Sequence, residues 1–138
     1  MRGREKHGFG VCGDGNESEC RNCLGRHIGA LHTRLVPGFV VHTEVEPGAR
    51  VVTFANGMQV REPFIDLDET KRRLVWSAEG AGITHYNASV QVLAANEGSR
   101  VVWIADFLPN DMRDQVGSMM REGISVMKGT MDQAAERP

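Results

Sequence analysis

An α+β fold, one curved antiparallel sheet closed by one long helix, is what this chain predicts, and three observations carry the expectation. Six short runs between Phe39 and Phe107 alternate apolar and polar residues and are parted by Gly, Pro, Asn and Asp. After Pro109 the spacing changes to three and four, with Met112, Val116, Met119, Met120, Ile124, Met127 and Met131 on one apolar stripe. No helical pattern interrupts the strands, so they pair in sequence as a meander and the closing helix has only that sheet to lie on.

The first strand is expected over 39–45, and Glu46-Pro47-Gly48 turns the chain into a second over 50–55. Asn56-Gly57 readily takes positive φ, which predicts a type I′ hairpin into a third strand from 58 to about 65. Asp66 to Thr70 supplies the next turn. Strands follow over 72–79 and 85–95, separated by Gly80-Ala81-Gly82, and a last one over 100–107 follows Asn96-Glu97-Gly98. Pro109 ends the sheet, and Asn110 or Asp111 is expected to cap a helix running from about 110 to 131.

Neighbours on a strand point to opposite faces, so alternation assigns the inner wall. Leu74, Trp76 and Ala78 point in, with Tyr86, Ala88, Val90 and Val92, with Val101, Trp103, Ala105 and Phe107, and with Phe54 and Phe64. His42 and His85 fall outside, as do Val102 and Ile104. Five of the seven methionines lie on the helix stripe. Methionine is flexible and polarizable, so such a wall repacks around variable apolar shapes where Leu and Ile specify one core. Small residues beside large aromatics, Ala78, Ala88 and Ala105, suit either a pocket or a closely seated helix.

At 138 residues the chain holds one core. Sixteen basic against eighteen acidic residues, a net charge of −2 without long blocks, exclude a nucleic-acid or anionic-membrane surface as the expected partner. No apolar run approaches the ~20 residues of a membrane span, and the first residues lack an apolar signal core, so a cytoplasmic protein is expected. The three cysteines, Cys12, Cys20 and Cys23, do not make a disulfide framework. Residues 1–28 are rich in Gly, Arg, Glu and Cys without either period, and are expected to be a poorly ordered segment ahead of a domain over 29–138.

The segments HTRLVPGFV, RVVTFANGMQVREPF, DETKRRLVWSAEG, THYNASVQV and SRVVWIADFLP, followed by the long helix, resemble the polyketide cyclase/dehydrase branch of the START-related, Bet v 1-like superfamily, the SRPBCC proteins. The resemblance spans about residues 29–132. It implies a helix-grip fold, a curved antiparallel sheet gripping a C-terminal helix around an apolar cavity, and binding of a hydrophobic or aromatic small molecule, lipid-like or polyketide-like. It brings no invariant catalytic motif. The family's usual first strand has no counterpart in the pattern of residues 1–28, so that strand is expected to be absent or atypical. Its absence would leave a sheet edge open to another subunit, in the simplest case a second copy of this chain.

The cavity is expected to be lined by Phe54, Phe64, Leu74, Trp76, Tyr86, Ala88, Val90, Trp103 and Ala105 from the sheet and by Met112, Val116, Met119, Met120 and Met127 from the helix. Glu62 shares a strand face with Val60 and Phe64, so it is a carboxyl on an apolar wall. Burial would raise its pKa, and it is the candidate acid or base, with Tyr86 beside it. The competing reading is that Glu62 pairs with an arginine near the cavity rim. Cys12, Cys20, Cys23 and His27 offer zinc ligands in name, but their spacing matches none of the common fingers or knuckles, so no metal and no cofactor are expected. His32 is the one histidine expected near a cavity mouth. Three functions follow: a small-molecule binding module first, then a cyclase or dehydratase using Glu62, then a subunit-interaction protein using an open edge with Val102 and Ile104.

Overall fold

The computed structural model describes residues 3–12, 36–96 and 98–135, with side chains over 36–96 and 98–133. Among them seven strands form one antiparallel sheet: β1 Gly3–Cys12, β2 Val40–Glu46, β3 Ala49–Phe54, β4 Gln59–Asp68, β5 Arg73–Ser77, β6 His85–Ala95 and β7 Gly98–Leu108. A 3-10 turn, Asn110–Met112, leads into the helix α1, Arg113–Ala135, the single α-helix among the described residues. The strand order is β1-β7-β6-β5-β4-β3-β2. From β2 onward each strand pairs with its sequence neighbour, which is the expected meander, and α1 closes it as the expected helix grip. No described helix is long and apolar enough to cross a membrane.

β1 lies in the segment where the sequence pattern gave no element. The first strand is therefore present and atypical: it pairs with β7 from Gly3–Phe107 to Cys12–Ser99, with a bulge between Gly8 and Val11. Gly3, Gly8 and Gly10, and the charged run Arg4, Glu5, Lys6, erase the alternation that would have announced it. The backbone of α1 lies alongside β1, and glycine in a strand is what close approach of another backbone calls for. The edge expected to stand open beside β7 is thus occupied. The boundary expected at 28/29 lies outside the described residues, as do Cys20, Cys23, His27 and His32.

Three local expectations are corrected. The β3–β4 hairpin closes on Phe54 and Met58, with the Phe54 N–H donating to the Met58 carbonyl at 2.9 Å and the Gly57 N–H to the Phe54 carbonyl at 2.9 Å. Gly57 has φ +85° while Asn56 is not in the left-handed region, so the loop is a three-residue type I turn with a glycine bulge in place of type I′. Asn56 works through its side chain, its Oδ1 accepting from the Met58 N–H at 3.0 Å. β4 runs on to Asp68 through a bulge between Phe64 and Asp66. That extra residue breaks the alternation at Ile65 and restarts it with Leu67 opposite Leu74, so the strand reads as ending early. At the helix, the chain enters through Pro109 with no side-chain cap, and the Met112 N–H donates to the Pro109 carbonyl at 3.2 Å.

The inner face packs as alternation requires. Leu74, Trp76, Ala88, Val90, Val92, Val101, Ala105 and Phe107 are buried against Val116, Met120, Ile124 and Met131 of α1. Burial of a side chain such as Phe107 or Met120 contributes ~1.5–3 kcal/mol. A second cluster, Val36, Phe39, Val40, Val52, Phe54 and Val60, joins the first through Met127, with Met58 and Met119 packed on it. Gly123 seats the helix: a Cβ there would stand 3.0 Å from Trp103 Cζ3 and 3.2 Å from Phe39 Cε1.

Candidate functional site

Register brings the polar residues of the inner wall into one row. Arg50 on β3 is directly opposite Glu62 on β4, and because Arg50, Val52 and Phe54 share a face, the guanidinium enters the concave side. Arg50 Nε donates to Glu62 Oε2 at 2.6 Å, with side-chain exposures of 1% and 7%. The guanidinium also lies over two rings, 5.4 Å from the Phe64 centroid and 5.6 Å from that of Trp76.

Burial holds the Glu62 carboxyl above its ordinary pKa, against the lowering effect of the Arg50 charge. A guanidinium does not give up its proton, so a neutral Glu62 would strand a buried positive charge, and the pair remains ionised near neutral pH. The Trp76 Nε1–H has no hydrogen bond of good geometry, yet it lies near enough to the Glu62 carboxyl to favour the ionised form. Tyr86 is held protonated beyond the usual phenol range, first by burial and then by the Glu62 charge.

Beside this pair a pocket of about 100 Å³ lies between sheet and helix. Among the fourteen residues expected to line it, Phe54, Leu74, Trp76, Tyr86, Val90 and Trp103 do so from the sheet, and Met112, Val116, Met119, Met120 and Met127 from the helix. Phe64, Ala88 and Ala105 do not. Phe64 is engaged with Arg50, and Ala88 faces Ala105 in the layer on which Val116 and Met120 pack. Small residues thus serve both ends, since Ala88 and Ala105 seat the helix while Ala78 lines the pocket. Met131 is buried away from the pocket, and Met58 takes its place in the lining. The described lining is mostly apolar, with Arg50, Glu62, Tyr86 and Gln115 as its hydrogen-bonding side chains besides the two indoles.

Trp76 and Trp103 meet at 6.1 Å between centroids, tilted 45°, and Tyr86 stacks on Phe107 at 6.5 Å. His42 is exposed and His85 half-buried. Val102 and Ile104 are half-buried, opposite Gly8 and Lys6 of β1. Among the described residues the large exposed apolar side chains are Val41, Val45, Ile65 and Leu67. Sequence reasoning missed Arg50 as the partner of Glu62, although its parity with Phe54 was the available signal. It also missed Gln115, Met58 and Ile83, which come from the helix edge and from turns where alternation assigns no face.

Comparison with solved structures gives the same architecture at low sequence identity. Truncated norcoclaurine synthase from Thalictrum flavum is 14% identical, with a TM-score of 0.73 over all of this chain and 96% of that one. The ginseng major latex-like protein 151 from Panax ginseng is 14% identical, TM-score 0.77, over 99% of each chain. A protein of Nitrosospira multiformis is 15% identical, TM-score 0.77, over 98% of this chain and all of that one. At these identities the likeness is one of fold. No curated protein matches in sequence. The model of the family described as polyketide cyclase/dehydrase and lipid transport matches residues 27–137, which takes in β2 to β7, α1 and every described residue of the pocket wall, and to that family this chain belongs.

Proposed function

We propose that the protein binds a small hydrophobic or aromatic molecule in the pocket between the sheet and α1. The observation that carries this reading is an apolar pocket with five methionines on its wall and a buried, charge-balanced ion pair within it. Its volume, about 100 Å³, is below the ~300–1,000 Å³ of ordinary ligand pockets. A guest larger than a single ring therefore requires Met112, Met119 and Met127 to swing, which unbranched side chains on a helix allow. The family description includes lipid transport, which accords with an apolar guest.

The test uses the chain's two tryptophans, Trp76 and Trp103, both of which line the pocket. Titration with apolar aromatic probes should change their emission saturably, whereas an unchanged spectrum at probe concentrations near solubility would count against the reading.

A second reading, acid–base catalysis of the cyclase or dehydratase kind, is favoured by one observation: Glu62 and Tyr86 stand on the same pocket wall with shifted proton affinities. Glu62 would move a proton and Tyr86 would donate a hydrogen bond. The Arg50 pair argues against a mobile proton on Glu62, so binding is placed first. Glu62→Gln separates the two, since an enzyme loses turnover while retaining its guest.

A further inference from the structure

Ala78 marks a gap in the pocket wall. The Arg61–Glu79 bridge, hydrogen-bonded at 3.0 and 2.8 Å, continues the register of the Phe64–Trp76 pair and sets Ala78 opposite Glu62. On the other side the Ser77–Asn87 pair sets Ala78 opposite Tyr86. Adjacent strands lie about 4.8 Å apart, so Glu62 and Tyr86 rise from strands roughly 10 Å apart with only a methyl between them. Trp76 stands two residues along on the same face, and all four side chains line the pocket.

The notch is chemically specific. The Trp76 Nε1–H is buried near the Glu62 carboxyl with no hydrogen bond of good geometry, the Tyr86 phenol keeps its proton, and the Glu62 carboxylate accepts from Arg50 through Oε2. The two charges of this wall balance each other, so none is left over for a charged guest.

We propose that the notch over Ala78 is a subsite for a neutral hydroxyl group, and that the guest is an uncharged apolar alcohol or phenol and not a carboxylic acid. This rests on the reading of the pocket as a binding site. The guest's oxygen accepts from the Tyr86 O–H or the Trp76 Nε1–H, and its hydrogen goes to the Glu62 carboxylate, which has acceptor positions for more than one donor. A carboxylate in the notch would set a second negative charge beside Glu62 in a low-dielectric wall, with the Arg50 charge already matched. A plain hydrocarbon would leave the indole N–H without a hydrogen bond of good geometry.

The experiment is calorimetric titration of the full chain at pH 7 with 2-naphthol, naphthalene and 2-naphthoate, repeated on Ala78→Val and Tyr86→Phe. The expected order is naphthol tighter than naphthalene by about tenfold, the factor that about 1.4 kcal/mol of hydrogen bonding supplies, with naphthoate weakest. Ala78→Val fills the notch and should bring the naphthol preference close to one. If that variant fails to fold, Tyr86→Phe should lower the same ratio. Naphthoate binding tightest, naphthol no better than naphthalene, or a preference that survives both substitutions would overturn the subsite and leave the pocket reading standing. Failure of all three probes to bind would overturn the pocket reading, and the subsite with it.

Discussion

Arg50 and Glu62, opposite each other on β3 and β4, form an ion pair that is almost wholly buried on the wall of an otherwise apolar pocket. The guanidinium lies over two aromatic rings, Phe64 and Trp76, while its Nε donates to the carboxylate. The pair gives the wall polarity without net charge.

Breaking one half of this pair should cost more than removing both. Arg50→Met or Glu62→Leu alone strands a buried charge and should lower the unfolding free energy by ~3–5 kcal/mol. The double variant, apolar and of similar volume, should recover most of that loss. Urea denaturation of the four proteins measures the coupling, and additive losses would show that the two side chains do not depend on each other.

Glu62 also predicts a pH dependence with a definite sign. Its folded-state pKa lies above the ordinary 4.5 because burial outweighs the Arg50 charge. The folded chain therefore binds more protons than the unfolded one between those two values. Stability from this group is fully present below pH 4.5 and is lost as pH rises to the folded pKa, then stays level. Denaturation midpoints across that interval should show this component in the wild type, and Glu62→Gln should remove it.

Tyr86 is the chain's only tyrosine, so absorbance at 295 nm reports it alone. Burial and the Glu62 charge raise its pKa above the ordinary 10.0. The stability it contributes is complete below pH 10 and is lost above it, so the phenolate signal should rise only well beyond pH 10, together with loss of far-ultraviolet circular dichroism. A reversible step near pH 10 in the folded protein would mean that the phenol faces water.

Two helix glycines should respond to alanine in opposite directions. At Gly129 an added Cβ meets nothing within 4 Å, so Gly129→Ala should stabilise by ~0.5–1 kcal/mol through helix propensity. At Gly123 the Cβ would press on Trp103 and Phe39 at 3.0 and 3.2 Å. Overpacking costs ~1–3 kcal/mol, so Gly123→Ala should destabilise on balance, and equal gains at both sites would show that α1 is not tightly seated. Thermal melts of the two variants decide it.

Sheet, meander and helix stripe were legible because one face of each element is buried, and burial imprints its period on the residues. His85 to Ala95 shows this most cleanly, with predicted and observed bounds the same. Bulges hid what alternation cannot encode. Ile65 breaks the pattern, so Leu67 opposite Leu74 was read as turn. β1 was illegible because its glycines and charges carry no period. Of the site, the methionine wall was readable from spacing, whereas the Arg50–Glu62 contact depends on cross-strand register. That register is set here by the three-residue loop after Phe54, which the Asn56-Gly57 pair suggested would be shorter.

The most direct test of the pocket as a binding site is the ¹³C-methyl methionine spectrum of the full chain titrated with 2-naphthol. Met58, Met112, Met119, Met120 and Met127 line the pocket, while Met131 is buried outside it. Saturable shifts of those five methyl signals, with Met131 nearly still, are the expected result. Unmoved pocket methyls at probe saturation, or shifts confined to Met131, would contradict it.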